Sequence, residues 1–267
     1  MNESALAAHH RTTSLRERFA VAGLDWIVPC WDAPSKVQAF VTTRSAGAGP
    51  DASVPLDLGR EPWPGNDDIA GNRRRAQVYL PGSPRWLEQV HGTGVVRVAR
   101  GEAHGPPPPK ADAAVTRDVD TVLAVRIADC LPVLFSATDG SVIGIAHAGW
   151  RGLASGVLET TLRAMDRAPS DIVAWLGPCI GATAFEVGPD VEAAFAADGD
   201  AVDALRAGRP GKWHADLHRL ARRRLARAGV ARVDALAACT ATDAARFFSF
   251  RRDHTTARMA AFIWRTG

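Results

Sequence analysis

Residues 121–165 read TVLAVRIADCLPVLFSATDGSVIGIAHAGWRGLASGVLETTLRAM. Three apolar runs, Thr121 to Ile127, Leu131 to Ala137 and Val142 to Ala146, are divided by the short polar breaks Asp129-Cys130 and Asp139-Gly140-Ser141. Runs of this length, rich in β-branched residues and bounded by turn formers, are buried strands. Leu153, Val157, Leu158, Leu162 and Met165 then follow helical spacing, with Pro169 beyond the end. A helix over Leu153–Met165 is predicted.

Working outward, strands are expected at Val37 to Thr43, Gly94 to Ala99, Ile172 to Leu176, Val230 to Leu236 and Arg258 to Trp264. Helices are expected at Asp67 to Leu80, capped by Asp67 or Asp68, at Val191 to Ala197 and at Leu217 to Ala228. Ser45 to Gly65 is rich in Gly, Pro and Asp and reads as a long loop, and Pro106 to Pro109 as an exposed connection. With no internal repeat and no linker between two cores, the strands belong to one α/β (α+β) domain over residues 18–267. Residues 1–17 have no apolar period and read as a mobile tail.

Lys and Arg total 32 against 29 Asp and Glu. The excess is too small and scattered for a nucleic-acid footprint, and Arg222-Arg223-Arg224 reads as a solvated helix face. No window reaches the roughly 18 apolar residues of a membrane span. The four cysteines, Cys30, Cys130, Cys179 and Cys239, form no C-x-x-C pair, and no secretory leader is recognisable, so a cytoplasmic protein without disulfides is expected.

The chemistry gathers at His91 in EQVHGTG, Cys130 in IADCLPV and His147 in IAHAGWRG, all where strands end or the chain turns. A thiolate with two imidazoles suits Zn²⁺, and three protein ligands leave a fourth position open, the pattern of a catalytic site. The three lie 39 and 17 residues apart and match no local metal motif, and free Cys is commonly a small core residue, so spacing leaves a structural reading open for each. In HAGWRG, Gly149 and Gly152 allow tight turns at a helix start, and Arg151 adds a fork of donors. An anion site is expected there, with a solvated Arg151 as the plain alternative. Trp150 is a candidate to stack on a base. Arg44, Arg73, Arg251 and Arg252 are candidates to line an anionic pocket, although surface arginines are common. Cys179, between Gly177-Pro178 and Gly181, marks a sharp turn.

The blocks QVHGTGVV, ADCLPVLF, HAGWRGLASGVLE, LGPCIG with FEVG, and FFSFRRD resemble, in order from about Val37 to Trp264, a family labelled polyphenol oxidase or laccase-domain proteins. The same family is also called purine nucleoside phosphorylase and peptidoglycan editing factor. The resemblance implies a four-layer α/β/β/α fold with mixed sheets and zinc held by His91, Cys130 and His147. It also implies phosphorolysis of adenosine, inosine and methylthioadenosine, with adenosine deamination as a second reaction. Cys130 and Arg151 are then the catalytic candidates, Arg44, Gly149 and Arg251 the substrate contacts, and purine nucleoside and phosphate the partners of a monomer. Deamination would need a metal-activated water and a carboxyl group, for which Asp129 and Glu88 are nearest in sequence. The sequence departs from the family pattern at Phe250 and Phe185, which stand for Tyr, at His254 for Gly, and in the long loop at TTRSAG, at Asp57 for Asn and at Glu61 near a usual His. Two alternatives remain: a cysteine hydrolase with Cys130 as nucleophile and His147 or His91 as base, and an enzyme editing peptidoglycan precursors. Eight histidines, two of them in the tail, with no His-x-His pair, are too few for a multicopper cluster plus a blue-copper site.

Overall fold

In the computed structural model, which describes residues 14–45, 55–60, 69–101, 107–196 and 203–267, nearly every residue of the central strands is buried. Helix α1 (Leu15–Val21) precedes β1 (Val37–Val41) and α2 (Ile69–Gln77). Strands β2 (Val95–Arg97), β3 (Ala113–Thr116), β4 (Leu123–Ile127), β5 (Leu131–Ala137) and β6 (Ile143–Ala148) follow, then α3 (Trp150–Ser155) and α4 (Val157–Met165). The chain continues through β7 (Ile172–Leu176), β8 (Glu186–Val187), α5 (Pro189–Ala196), β9 (Leu205–Ala207), β10 (Trp213–Ala215), α6 (Leu217–Arg227), β11 (Arg232–Ala235), α7 (Phe250–Asp253) and β12 (Met259–Arg265). A six-stranded mixed sheet has the order β11-β7-β5-β6-β3-β2, and a three-stranded antiparallel sheet the order β1-β12-β4. A small third sheet, β8-β10-β9, stands apart from both.

Strand parity assigns the layers. Val133, Phe135 and Ala137 of β5 join one core with Ala174 and Leu176 of β7 and the helices α3 to α6. Leu134 and Trp175, on the opposite face, meet Val125 and Ile127 of β4 and Ala261 and Ile263 of β12 between the two large sheets. The other face of β12, Ala260, Phe262 and Trp264, packs with Phe40 against Leu15, Phe19 and Ala76 of α1 and α2. Both faces of each sheet are therefore apolar, which is why the strands read as continuous rather than alternating runs. The order of layers is helix, sheet, sheet, helix, the four-layer arrangement expected.

Three sequence expectations shift. Residues 14–17 of the supposed tail are structured: Ser14 caps α1 in a capping box with Glu17, and Leu15 is buried. Residues 1–13 and most of the long loop, including Glu61, lie outside the described residues, as do the cap candidates Asp67 and Asp68. The single helix over Leu153–Met165 is two helices, α3 beginning at Trp150 and breaking from α4 at Gly156, whose φ of 96° is left-handed. Arg224 is not on a solvated face: it is 5% exposed, and its Nη1 donates to Glu159 Oε1 at 2.8 Å, tying α6 to α4. Short strands such as β3 and β10 carry too little pattern to be read before pairing is known.

Candidate metal centre and cavity

Register assembles the site. In the antiparallel β5–β6 pair Leu131 lies opposite Ala148 and Pro132 opposite His147, so Cys130, one residue before β5, faces Gly149, one residue after β6. On the other side of β6, Ala113 faces Ala146, which puts Asp112 opposite His147. The His147 amide donates to the Asp112 carbonyl at 2.7 Å, and the His147 Nδ1–H donates to Asp112 Oδ1 at 2.9 Å. His91 arrives on a separate loop in a left-handed conformation, φ 59°. That loop is fastened by the same carboxylate, which accepts from the amides of Val90 at 3.2 Å, His91 at 2.9 Å and Gly92 at 2.7 Å. One ligand atom each from His91, Cys130 and His147 lie within 4.8 Å of one another, a group able to hold a metal ion. With Nδ1 of His147 committed to Asp112, its Nε2 is the nitrogen left for a metal, the arrangement that carboxylate partners impose on ligand histidines.

The electrostatics follow from burial and proximity. Burial opposes charge on Asp112, yet the hydrogen bonds from His147 and Gly92 outweigh it and hold the carboxyl below its usual value. Burial raises the Cys130 thiol, but the neighbouring His147 and His91 bring it down to about 6. Burial lowers His147, and the opposed pull of Cys130 and Asp112 lifts it to about 9. Both directions favour a thiolate at Cys130 and an imidazolium at His147 in the metal-free site.

Gly149 and Gly152 serve a purpose other than turning. Gly149 is extended, with φ −64° and ψ 157°, but a Cβ on it would lie 2.7 Å from His91 Cδ2 and 3.0 Å from Cys130 Sγ. A Cβ on Gly152 would meet the Gly92 carbonyl at 2.8 Å. Both glycines let the β6–α3 turn press against the His91 loop. Gly149→Ala is therefore expected to splay His91 and Cys130 and to lower metal occupancy several-fold with little loss of stability, read by elemental analysis beside a thermal melt; full occupancy would show that the contact can relax.

A cavity of about 630 Å³ opens beside these ligands. His91, Cys130, His147, Asp129 and Gln89 line it with four arginines, Arg60, Arg126, Arg251 and Arg258, and with the apolar Ile180, Phe185 and Phe250. The Arg251 guanidinium lies over the Phe185 ring at 5.4 Å and that of Arg258 over Phe250 at 5.8 Å. Burial first, then the charges of Arg73, Arg60 and Arg258, push Arg126 down to about 10, with Asp57 opposing.

The expected substrate contacts divide. Arg251 lines the cavity, and Gly149 packs against the ligands. Arg44 is not among the lining residues: it donates to the Ala244 carbonyl at 3.0 Å and lies over the Phe248 ring at 5.0 Å. Nor is Arg151, whose guanidinium lies over the Trp150 ring at 4.2 Å, so that Trp150 stacks on its neighbour. Arg73 donates to the Gly59 carbonyl, and Arg252 holds Asp253 and three carbonyls. Of the two carboxyl candidates, Asp129 has both oxygens engaged, by the Thr240 hydroxyl at 2.6 Å and the Arg251 amide at 2.7 Å. Glu88 faces Arg60 at 3.7 Å. Phe185 and Phe250, two of the departures from the family pattern, line the cavity together; His254, a third, caps α7 at φ 52°, where Gly is the unstrained choice. Asp112, Arg126 and Arg258 escaped sequence reasoning. No local signal marks them, since only strand register and the return of β12 bring them to the site.

This fold and ligand group define a protein class that sequence comparison identifies. The family described as multi-copper polyphenol oxidoreductase laccase matches residues 38–266, and the chain belongs to it. The purine nucleoside phosphorylase YfiH of Escherichia coli (strain K12) is 45% identical over 240 residues, 89% of this chain and 98% of the relative. A purine nucleoside phosphorylase of Xylella fastidiosa (strain 9a5c) is 44% identical over 259 residues, 90% and 96% of the two chains. Among solved structures, the Neisseria meningitidis protein NMB0706 superposes with a TM-score of 0.82 at 42% identity, covering 91% of this chain and all of that one. YlmD from Geobacillus stearothermophilus gives 0.77 at 32% identity, over 92% of this chain and 100% of the other. The chain is thus similar throughout to enzymes named for purine nucleoside phosphorolysis. Among the described residues, no helix is long and apolar enough to cross a membrane.

Proposed function

We propose that the chain is a zinc-dependent purine nucleoside phosphorylase acting on adenosine, inosine and methylthioadenosine, with adenosine deamination as a second reaction. The observation that carries this reading is the His91–Cys130–His147 group opening onto a cavity walled by arginine and aromatic side chains. The donor set fits zinc: one thiolate and two imidazoles, close enough to share an ion, with His147 oriented by Asp112. When bound, zinc supplies Lewis acidity beside the substrate. Ile180, Phe185 and Phe250 offer an apolar surface for a purine, and the arginines offer positive charge for phosphate and for the negative charge that gathers on the departing purine as the glycosidic bond breaks. Asp129 keeps Arg251 in place through its amide rather than serving as a free carboxylate.

Incubated with adenosine and phosphate, the purified protein is expected to form adenine and ribose-1-phosphate, with phosphate required for adenine release. Chromatography of one reaction with and without phosphate checks it: free ribose without phosphate would mean a hydrolase, and inosine alone a deaminase. The cysteine-hydrolase reading draws on one observation, the Cys130 thiolate beside His147. It predicts inactivation by alkylation of Cys130 and indifference to chelators, whereas the zinc reading predicts loss of activity on chelation. Cleavage of a muropeptide precursor, with no nucleoside consumed, would favour the cell-wall editing alternative.

A further inference from the structure

We infer that Arg126 and Arg258 form the subsite that binds a tetrahedral oxyanion in this cavity, and that the anion is the phosphate of the reaction proposed above. The identity of the anion rests on the phosphorylase reading; the subsite rests on the burial, unspent donors and surrounding charge of the two arginines.

Arg126 sits on β4 opposite Ala260 of β12. It is only 8% exposed, yet it lines the cavity. Its guanidinium lies over the Trp86 ring at 4.6 Å, and Nη1 donates to the Leu87 carbonyl at 3.1 Å. Nε is buried with no hydrogen-bond partner. A buried cation with most of its donors unspent is costly unless something pairs with it.

The charges around it add to that cost. Arg60, Arg73 and Arg258 all act on Arg126, and Asp57 is the carboxylate that opposes them. Asp57 is shared, because it also acts on Arg73 and Arg258 and its Oδ1 already accepts the amides of Gly59 and Arg258. Arg60 has Glu88 at 3.7 Å. Among the described residues, these four guanidinium groups have Asp57 and Glu88 to oppose them and, at Arg258, Cys130 and Asp129, the last already held by the Thr240 hydroxyl and the Arg251 amide. Arg258 spends Nη1 on the carbonyls of Thr255 and Ala257 and lines the same cavity. A phosphate matches the forked guanidinium donors that Arg126 and Arg258 leave unspent. The turn at Arg151 lacks these features: its arginine is exposed and stacked on Trp150, and α3 has six residues.

The test is calorimetric titration of inorganic phosphate, and separately of adenosine 5′-monophosphate, into the full-length metal-loaded protein. Arg126→Gln and Arg258→Gln are each expected to weaken phosphate binding at least tenfold. Arg126→Lys, which keeps the charge but loses the fork, should weaken it less. Loss confined to the monophosphate would keep the subsite but assign it to a phosphate ester on the substrate. Unchanged affinity for both anions in both Gln variants, absence of binding by the parent protein, or loss on Arg151→Ala instead, would overturn the inference. Thermal melts accompany each titration; should Arg126→Gln fail to fold, the less buried Arg258→Gln decides. If phosphate binding depends on Arg126 while adenine release needs no phosphate, the subsite stands and the phosphorylase reading falls.

Discussion

Replacing Cys130 by Ala is expected to strip the metal from the protein and abolish turnover while the chain stays folded. Among the described residues Cys130 is one of three side chains placed to hold the ion, so its loss leaves two imidazoles, and affinity should fall by more than the roughly 10–100-fold that follows loss of an outer hydrogen-bond partner. The fold should bear the change because the thiol sits at a turn at the end of β4, outside the three apolar cores. A cost of ~1 kcal/mol there would move Tm by about 2–4 °C in a domain of this size. Acid should act on the same ligand: with the thiol held near 6, the thiolate that binds metal persists at neutral pH and is lost as pH falls through that value. Elemental analysis of the purified variant checks the assignment, and a full equivalent of zinc in Cys130→Ala would sink it. Activity lost with zinc retained would instead point to the thiolate as a nucleophile.

What the sequence made legible was local. The buried strands from Leu123 to Ala148 showed in their apolar runs because both faces of each sheet are covered, and the helical period of α4 and α6 showed in their leucines. The three ligands stood out because His and Cys at strand ends are chemically unusual, and the structure brings all three together. Long-range pairing was not legible. That Asp112 faces His147 depends on the β3–β6 register, and β3, Ala-Ala-Val-Thr, is too short and bland to be found alone. Arg126 stands in a run that reads as plain strand, and only β12 folding back beside β4 carries it and Arg258 to one cavity. Arg151 shows the complementary limit: a Gly-Arg turn before a helix resembles an anion site, but only the structure shows that the arginine rests on its neighbouring ring and stands outside the lining of the cavity.

Asp112→Asn should be the most damaging single change away from the ligands themselves. The fully buried carboxylate accepts four hydrogen bonds, from three consecutive loop amides and from His147 Nδ1. Asn keeps the size but replaces one acceptor oxygen with an NH₂, which must then point its hydrogens at donors, either the amides of Val90 and Gly92 or the His91 amide and the His147 Nδ1–H. Breaking a buried, charge-assisted cluster of this kind costs about 3–5 kcal/mol. At the ~2–4 °C per kcal/mol of a domain this size, Tm should fall by roughly 10 °C. Metal affinity should fall by about 10–100-fold, because the His91 loop loses its anchor and the His147 ring its fixed tautomer. The pH dependence separates this from simple loss of packing. The Asp112 carboxyl is held below its ordinary value, so its stabilisation is fully present above the unfolded pKa of about 3.9 and drains away as pH drops through the lower folded value. The stability gap between parent and variant should therefore narrow below about pH 4 and, because Asp112 also helps to raise His147 to about 9, shrink as pH rises toward that value. Denaturant melts at a series of pH values measure it directly. A gap that does not change with pH would mean that Asp112 stabilises by shape alone, and an unaltered metal affinity would mean that His147 keeps its orientation without the carboxylate.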